Sequence, residues 1–245
     1  MPNFFIKNTC IKDTKVEIDG EVFHHLRDSL RIKKGEKISC VDEDGIRYTI
    51  TVTAIRKNML IGDIIEKDEQ NQTTRLHINL VQAIPKGPKF DFIIQKATEL
   101  GVSTISPVIS ERCVVRLEKE RSDDKLRRWK KIALEAAQQS DRRDIPDIAP
   151  PLSLKDFLSS YQKADLNLLL WEGEKIRGIK DVLKSVQEVK DIVVLVGSEG
   201  GLSMNEAELA ISAGFITVSL GELILRTETA PLVVLSILYY EFGLR

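Results

Sequence analysis

The rhythm of apolar and polar positions changes near residue 73. In residues 46–54, Ile46, Tyr48, Ile50, Val52 and Ala54 alternate with Arg47, Thr49, Thr51 and Thr53. That two-residue period predicts a strand with one buried face. Asp44-Gly45 just before it is a tight-hairpin signal, following a strand predicted over Lys37–Val41. Residues 60–65 predict another strand. The run from Glu66 to Thr73 is polar throughout and reads as an interdomain linker. Residues 1–72 therefore predict a small β domain.

Beyond residue 73 strand and helix patterns alternate. Residues 76–83 are apolar enough for a strand. Phe90, Ile93, Ile94, Ala97 and Leu100 recur at helical spacing, and Gly101 ends the stripe. A short β-rich run follows at 102–108. Residues 123–140 predict a helix with Leu126, Trp129, Ile132, Ala133 and Ala136 on one face, which makes Trp129 a core residue rather than a stacking platform. Leu166–Leu170 and residues 192–196 are continuous apolar runs, as in buried parallel strands. Residues 232–240 are apolar on nearly every side and suit a helix buried in the core or in a subunit interface. The fold class is α/β: a small β domain, then an α/β domain over residues 73–245.

Composition adds constraints. With 42% hydrophobic and 30% charged residues over 245 positions, the chain reads as an ordinary globular protein. It has no apolar run of about 18 residues, and its first residues lack the pattern of a secretory leader, so no membrane role is expected. Cys10, Cys40 and Cys113 are far apart. They argue against a disulfide framework and a CxxC metal site, and for the cytoplasm. With only three histidines as well, no metal centre is expected. The net charge of −1 hides an asymmetry. Residues 112–143 carry 11 Lys and Arg against 6 Asp and Glu, whereas residues 144–245 carry 9 against 15. The basic stripe is either a nucleic-acid footprint or a solvated helical face.

Two segments carry candidate chemistry. The strand at 192–196 runs into Gly197-Ser198-Glu199-Gly200-Gly201, and Ser203 with Glu206 forms a capping box for a helix starting near Met204. That order of strand, glycine turn and helix brings backbone N–H groups close to a ligand. It matches neither the Walker A nor the dinucleotide fingerprint. Glu199 would repel phosphate but suit a cation such as a sulfonium or ammonium; a tight turn without a ligand remains the alternative. The second segment follows a strand predicted over residues 215–220. Leu220-Gly221-Glu222-Leu223-Ile224-Leu225 leads into Arg226-Thr227-Glu228-Thr229-Ala230, four hydrogen-bonding side chains against the apolar helix. Capping explains part of this crowding. It does not explain Arg226, because a cation is unfavourable at a helix N-terminus.

Together these motifs resemble the SPOUT, or α/β-knot, methyltransferases, and among them the RsmE type. The likeness extends upstream through Gln82-Ala83-x-Pro85-Lys86-Gly87, Lys96-Ala97-x-Glu99-Leu100-Gly101-Val102, Ile105-x-Pro107, Arg112, Arg128-Trp129 and Glu135-Ala136-x-Gln138-Gln139-Ser140-x-Arg142 to Ile145-Pro146. His25-x-Arg27 and the turn at Gly35 resemble the family's N-terminal PUA-like β-barrel. Two positions depart from the pattern: Ser198 stands where the family usually has Pro, and Leu223 where it usually has Arg.

The resemblance implies a PUA-like barrel over residues 1–72, a C-terminal trefoil knot over 73–245, and a homodimer. It implies methyl transfer from S-adenosylmethionine to N3 of a uridine in 16S ribosomal RNA, acting on the 30S subunit. The cofactor would be held by Leu170, Trp171 and Glu172, by Gly197, Ser198, Glu199, Gly200 and Gly201, and by Leu220, Gly221, Leu225, Arg226 and Thr229. Arg226 is the expected anion stabiliser. Glu199 and Glu228 are candidate bases, or bind cofactor hydroxyls, or cap the helix. RNA contacts are expected from Arg27, Lys86, Lys89, Arg112, Arg116, Arg128, Gln138, Gln139, Arg142 and Arg143. The alternatives are a ribose 2′-O-methyltransferase of the same superfamily and a non-catalytic RNA-binding assembly factor.

Overall fold

The computed structural model describes residues 3–69, 76–113 and 119–243. The chain divides into two compact units, residues 1–72 with 137–145 and residues 73–136 with 146–245.

In the first unit, β1 (Asn3–Phe5), β2 (Ile11–Lys12), β3 (Lys15–Ile18), β4 (Lys37–Val41), β5 (Arg47–Ile55) and β6 (Leu60–Asp68) form one sheet in the order β1-β4-β5-β6-β3-β2. Only β1 and β4 pair in parallel; the other neighbours are antiparallel. The alternation in β5 does what its period predicts, burying Tyr48, Ile50 and Val52. Gly45, with φ +77, turns the β4–β5 hairpin, and its N–H donates to Asp42 O at 3.1 Å. The interdomain linker expected at Glu66–Thr73 is corrected at its start. Glu66, Lys67 and Asp68 pair with Thr49, Tyr48 and Arg47 as the end of β6. Polar residues suit that position because Ile65, Glu66 and Lys67 are all exposed, so this end of β6 is solvated on both faces. Residues 70–73 of that run lie outside the described residues.

A helix α1 (Gly20–His24) and the turn His25–Ser29 interrupt the β pattern; sequence periodicity did not predict them. They close the unit's core through the fully buried Phe23 and Leu26, which pack with Phe4, Ile38 and Ile50. Burying each such side chain contributes about 1.5–3 kcal/mol. Burial also pushes the Cys40 thiol up to about 12, so it is an inert core residue.

The second unit is a parallel sheet with helices. Its elements are β7 (His77–Ala83), α2 (Lys89–Glu99), β8 (Thr104–Ile109), α3 (Lys119–Gln139, whose last turn belongs to the first unit), β9 (Asp147–Ile148), β10 (Leu152–Ser153), α4 (Leu154–Ser160), β11 (Leu166–Leu170), α5 (Ile179–Lys184), β12 (Asp191–Val196), α6 (Met204–Ser212), β13 (Ile216–Val218) and α7 (Ala230–Leu238). The strand order is β10-β8-β7-β12-β11-β13, with β9 also on β8, and every pairing is parallel. The apolar runs of β11 and β12 are buried on both faces, as all-parallel sheets require.

Two cores flank the sheet. One joins Ile93, Ile94, Trp129, Val194, Val234 and Leu238; the other joins Val81, Phe157, Leu169, Leu195 and Ala207. Trp129 meets Phe90 edge-on at 4.6 Å, so it is core, as its place on the apolar stripe predicts. The capping box is present: Ser203 Oγ accepts from Glu206 N and the Glu206 carboxylate accepts from Ser203 N. The strand expected over residues 215–220 is only the three residues of β13. The following Ser219 turns back, its hydroxyl donating to Gly221 O at 3.0 Å. No helix among the described residues is long and apolar enough to cross a membrane.

Candidate functional site

Parallel pairing places the C-terminal ends of β7, β8, β11, β12 and β13 on one edge of the second unit's sheet. The loops that leave those ends bring together the residues with candidate chemistry. The order of strands reverses at β7, which lies between β8 and β12 while later strands add beyond β12. Such a reversal opens a crevice at the carboxyl edge of an open α/β sheet.

The glycine loop is shaped by close approaches. Gly201 has φ +67, donates its N–H to Ser198 O at 2.9 Å, and lies so near Glu172 that an added Cβ would fall 2.5 Å from Glu172 Oε1. Gly200 lies against Arg112, where an added Cβ would fall 3.0 Å from the Arg112 Cβ; Arg112 Nη1 donates to Gly200 O at 2.8 Å and lies 3.9 Å from Glu172 Oε1. The glycines therefore serve contact between the loops after β8, β11 and β12 as well as the turn itself. Glu206, buried at the start of α6, also accepts from Glu111 N at 2.8 Å and fixes the β8 loop beside them.

A buried clasp joins the glycine loop to the segment before α7. Gln82, near the end of β7, points its Nε2 at Ala83 O (3.0 Å), Gly197 O (3.2 Å) and Thr227 Oγ1 (3.3 Å). Thr227 Oγ1 donates to Gly197 O at 2.8 Å. Gln82 Oε1 and Ser198 Oγ are buried and have no hydrogen-bond partner among the described residues. Buried polar atoms of this kind are normally satisfied, so they are positions where a ligand can supply the partner. The clasp was not predicted; the available signal was that Gln82 is a polar residue within the buried run at the end of β7.

The charged groups form a chain. Lys89 Nζ donates to Glu199 Oε1 at 2.8 Å and lies 3.7 Å from Glu228 Oε2. The Lys86 N–H reaches both Glu199 oxygens at 3.2 Å. Burial raises the Glu199 carboxyl, but hydrogen bonds from Lys89, from the loop's own backbone and from Lys86 outweigh it and hold Glu199 below its ordinary range. The Lys89 ammonium is held above its ordinary range by its hydrogen bond to Glu199, offsetting some desolvation. Arg226 Nη1 stands 3.9 Å from Glu228 Oε1. The Arg226 side chain is 84% exposed and that of Glu228 only 19%, with Glu228 Oε2 buried and without a hydrogen-bond donor among the described residues. Thr229 is the N-cap of α7 but makes no side-chain cap bond; Arg226 O takes the Thr229 and Ala230 N–H groups at 2.8 and 3.0 Å. Plain capping thus leaves both Glu228 and Thr229 unexplained.

Glu174 was also missed. Its carboxylate accepts from Thr217 Oγ1 at 2.6 Å and from the Ile176 and Arg177 N–H groups at 2.9 Å, tying the β11 loop to β13. The Thr217 hydroxyl first, then the Arg177 and Ile176 N–H groups, hold Glu174 down to about 2. Leu170 ends β11. Trp171 lays its ring over Gly173, where an added Cβ would meet it at 2.6 Å. After β13, Leu220 packs against the core and Leu225 is half-buried, while Gly221, Leu223 and Ile224 form an exposed turn, Leu223 and Ile224 being 81% and 91% exposed.

The residues expected to contact RNA fall in different settings. Lys86, Arg112 and Arg128 belong to the second unit; Arg128 is exposed and paired with Asp91. Arg27, Gln138, Gln139, Arg142 and Arg143 belong to the first. Arg27 bonds Asp28 and Lys57 O. Arg142 is only 7% exposed and donates to Asp144 at 2.8 Å, and Arg143 pairs with Asp68. Arg116 lies outside the described residues.

The chain matches two family models, the RNA methyltransferase domain over residues 72–239 and the RNA methyltransferase PUA domain over residues 18–65. It is 32% identical over 228 residues to the ribosomal RNA small subunit methyltransferase E of Bacillus subtilis, covering 91% of this chain and 89% of that one. Among solved structures it is similar to the methyltransferase E of Neisseria gonorrhoeae bound to S-adenosyl methionine, with 32% identity, TM-score 0.86, and coverage of 98% and 97%. A Legionella pneumophila methyltransferase in complex with the same cofactor matches at 31% identity and TM-score 0.86, covering 97% of this chain and 96% of that one.

Proposed function

The chain belongs to the ribosomal RNA small subunit methyltransferase E family, and on that premise we propose that it methylates N3 of a uridine in 16S ribosomal RNA, on the 30S subunit in the cytoplasm, with S-adenosylmethionine as donor. The observation that carries this reading is the clasp. Gln82 and Thr227 hold the glycine loop against the Arg226–Glu228 segment, so a donor pocket and an acid–base pair share one place.

The residues fit the donor. The carboxylates of Glu172, Glu199 and Glu228 line the loops, and an ionised Glu199 repels phosphate while attracting a cation. The unsatisfied Ser198 Oγ and Gln82 Oε1 offer it polar partners. Leu170, Trp171 and Glu172, the loop 197–201, and Leu220, Gly221, Leu225 and Thr229 would hold it. When bound, S-adenosylmethionine supplies a methyl carbon made electrophilic by its sulfonium.

Uridine N3 carries a proton at neutral pH, and the chain must remove it. Glu228 takes that proton, its buried Oε2 accepting no full hydrogen bond among the described residues, with the Lys89 ammonium 3.7 Å away. Arg226, exposed beside it, donates to a uracil carbonyl where negative charge spreads. Glu199, held ionised, orients rather than accepts. Exposed Lys86, Arg112 and Arg128 take phosphate contacts, with Gln138 and Gln139 on RNA hydrogen bonds. Arg142 and Arg143 brace their own loop. Family membership also supports a trefoil knot within residues 73–245 and a homodimer.

A methylation assay on 30S subunits from a strain lacking the enzyme tests the reading, with nucleoside analysis and primer-extension mapping. 3-Methyluridine at one position is the expected product. A 2′-O-methylated ribose assigns the chain to the ribose-modifying branch. No product, together with no calorimetric binding at millimolar S-adenosylmethionine, leaves an RNA-binding assembly factor.

A further inference from the structure

We propose that Lys89 is a positioning residue of the reaction centre, dividing the two neighbouring carboxylates into an ionised partner, Glu199, and a proton acceptor, Glu228. This inference rests on the uridine-N3 reading and deepens it. As a lysine beside a basic stretch, Lys89 reads from sequence as a phosphate contact. The structure turns its ammonium inward, to Glu199 Oε1 at 2.8 Å and within 3.7 Å of Glu228 Oε2.

Three features point the same way. Lys89 is the first residue of α2, where the helix dipole disfavours a cation. The carboxylate that faces it offsets that unfavourable field. Glu199 and Glu228 come from different loops and share this one ammonium. Without it, two neighbouring carboxylates repel and one retains a proton to higher pH. Finally, the contacts are unequal. Glu199 receives a full hydrogen bond, whereas Glu228 feels Lys89 and Arg226 only at 3.7 and 3.9 Å. Glu228 thus has two cations beside it yet keeps an oxygen that accepts no full hydrogen bond among the described residues, the arrangement required of a base.

The other groups near the site are Lys86, whose backbone N–H binds Glu199, and Arg112, which lies against Glu172 and Gly200 O. Among the described residues, neither Lys86 Nζ nor the Arg112 guanidinium forms an ion pair with Glu199 or Glu228. Lys89 is the charge that links the two.

The test uses full-length wild type, Lys89→Met and Lys89→Arg with 30S substrate. Rate is measured across pH, and RNA affinity across salt. Loss of the cation should move the acid limb of kcat/KM upward by about one pH unit. RNA affinity and its salt slope should stay as in wild type, and Arg should restore the wild-type limb. A fall in RNA affinity in Lys89→Met, with a salt slope shallower by about 0.7–0.9 per lost phosphate contact and an unmoved acid limb, would make Lys89 a phosphate contact and overturn the inference. An unmoved limb with unchanged RNA binding overturns it equally. Wild type that yields no 3-methyluridine instead removes the parent reading, a result visible before any variant is compared.

Discussion

Arg226 and Gln82 show how single side chains acquire roles from what surrounds them. Arg226 is mostly exposed and 3.9 Å from Glu228, so its guanidinium is available to a substrate carbonyl rather than spent on the fold. Arg226→Ala should lower kcat about 100-fold or more, the usual loss when a donor to developing negative charge is removed. The cofactor Kd from calorimetry should change much less. An equal loss in both would assign Arg226 to cofactor binding. Gln82 is the opposite case: fully buried, with its amide directed to three acceptors. Gln82→Leu keeps the volume but strips the clasp. It should cost about 1–3 kcal/mol in denaturant unfolding, because Gly197 O and Thr227 lose a buried donor. Turnover should fall further than that destabilisation accounts for, since the glycine loop is no longer registered against Arg226. The sequence could single out Arg226, because a cation before an apolar helix conflicts with the dipole. Gln82 stood out only as the first residue of the Gln82-Ala83-x-Pro85-Lys86-Gly87 resemblance, because its partners lie 115 and 145 residues away, beyond any local pattern. Lys89 was visible as a lysine, but pairwise contact with Glu199, 110 residues distant, is not written in local pattern.

At the scale of elements, periodicity did well where burial alone decides conformation. The alternation of β5, the apolar runs of β11 and β12, the stripe of α2 and the Ser203–Glu206 capping box all became the predicted elements. It failed where the element is too short to show a period. α1, α4 and α5 span five to seven residues, under two turns, and are stabilised by packing of Phe23, Phe157 or Val182. The end of β6 read as linker because its residues are polar, while pairing with β5 is what makes them strand. The loop after β11 is likewise set by one carboxylate. Glu174 is held at about 2, below its ordinary 4.5. The folded value is depressed, so this bracing is complete above about 4.5 and disappears as pH falls toward about 2. Glu174→Gln should accelerate amide hydrogen exchange at Ile176 and Arg177 near neutral pH. The difference from wild type should vanish in acid. Equal exchange rates at neutral pH would show that the loop is held by Trp171 and backbone alone.

For the whole molecule, the decisive quantity is how positive charge is spent. A neutral chain carries its surplus of Lys and Arg within residues 112–143, yet the surplus is not all available to RNA. Arg128 is exposed, in a surface pair with Asp91 of a kind worth at most about 1 kcal/mol, which a phosphate can displace. Arg142 is buried and donates to the half-exposed Asp144, so its cation is committed to the fold. The two arginines therefore fail differently when reversed in charge. Arg128→Glu should leave thermal unfolding nearly unchanged, weaken RNA binding, and flatten the dependence of log K on log salt by about 0.7–0.9 for one phosphate contact. Arg142→Glu should instead destabilise the fold, because it places a carboxylate in a site only 7% exposed and beside Asp144. Its loss of RNA binding should track the unfolded fraction. Measuring melting and salt slope together on both variants separates the roles. A flattened slope with an intact melting transition in Arg142→Glu would return Arg142 to the RNA interface. An unchanged slope in Arg128→Glu would show that the exposed stripe is only a solvated helical face.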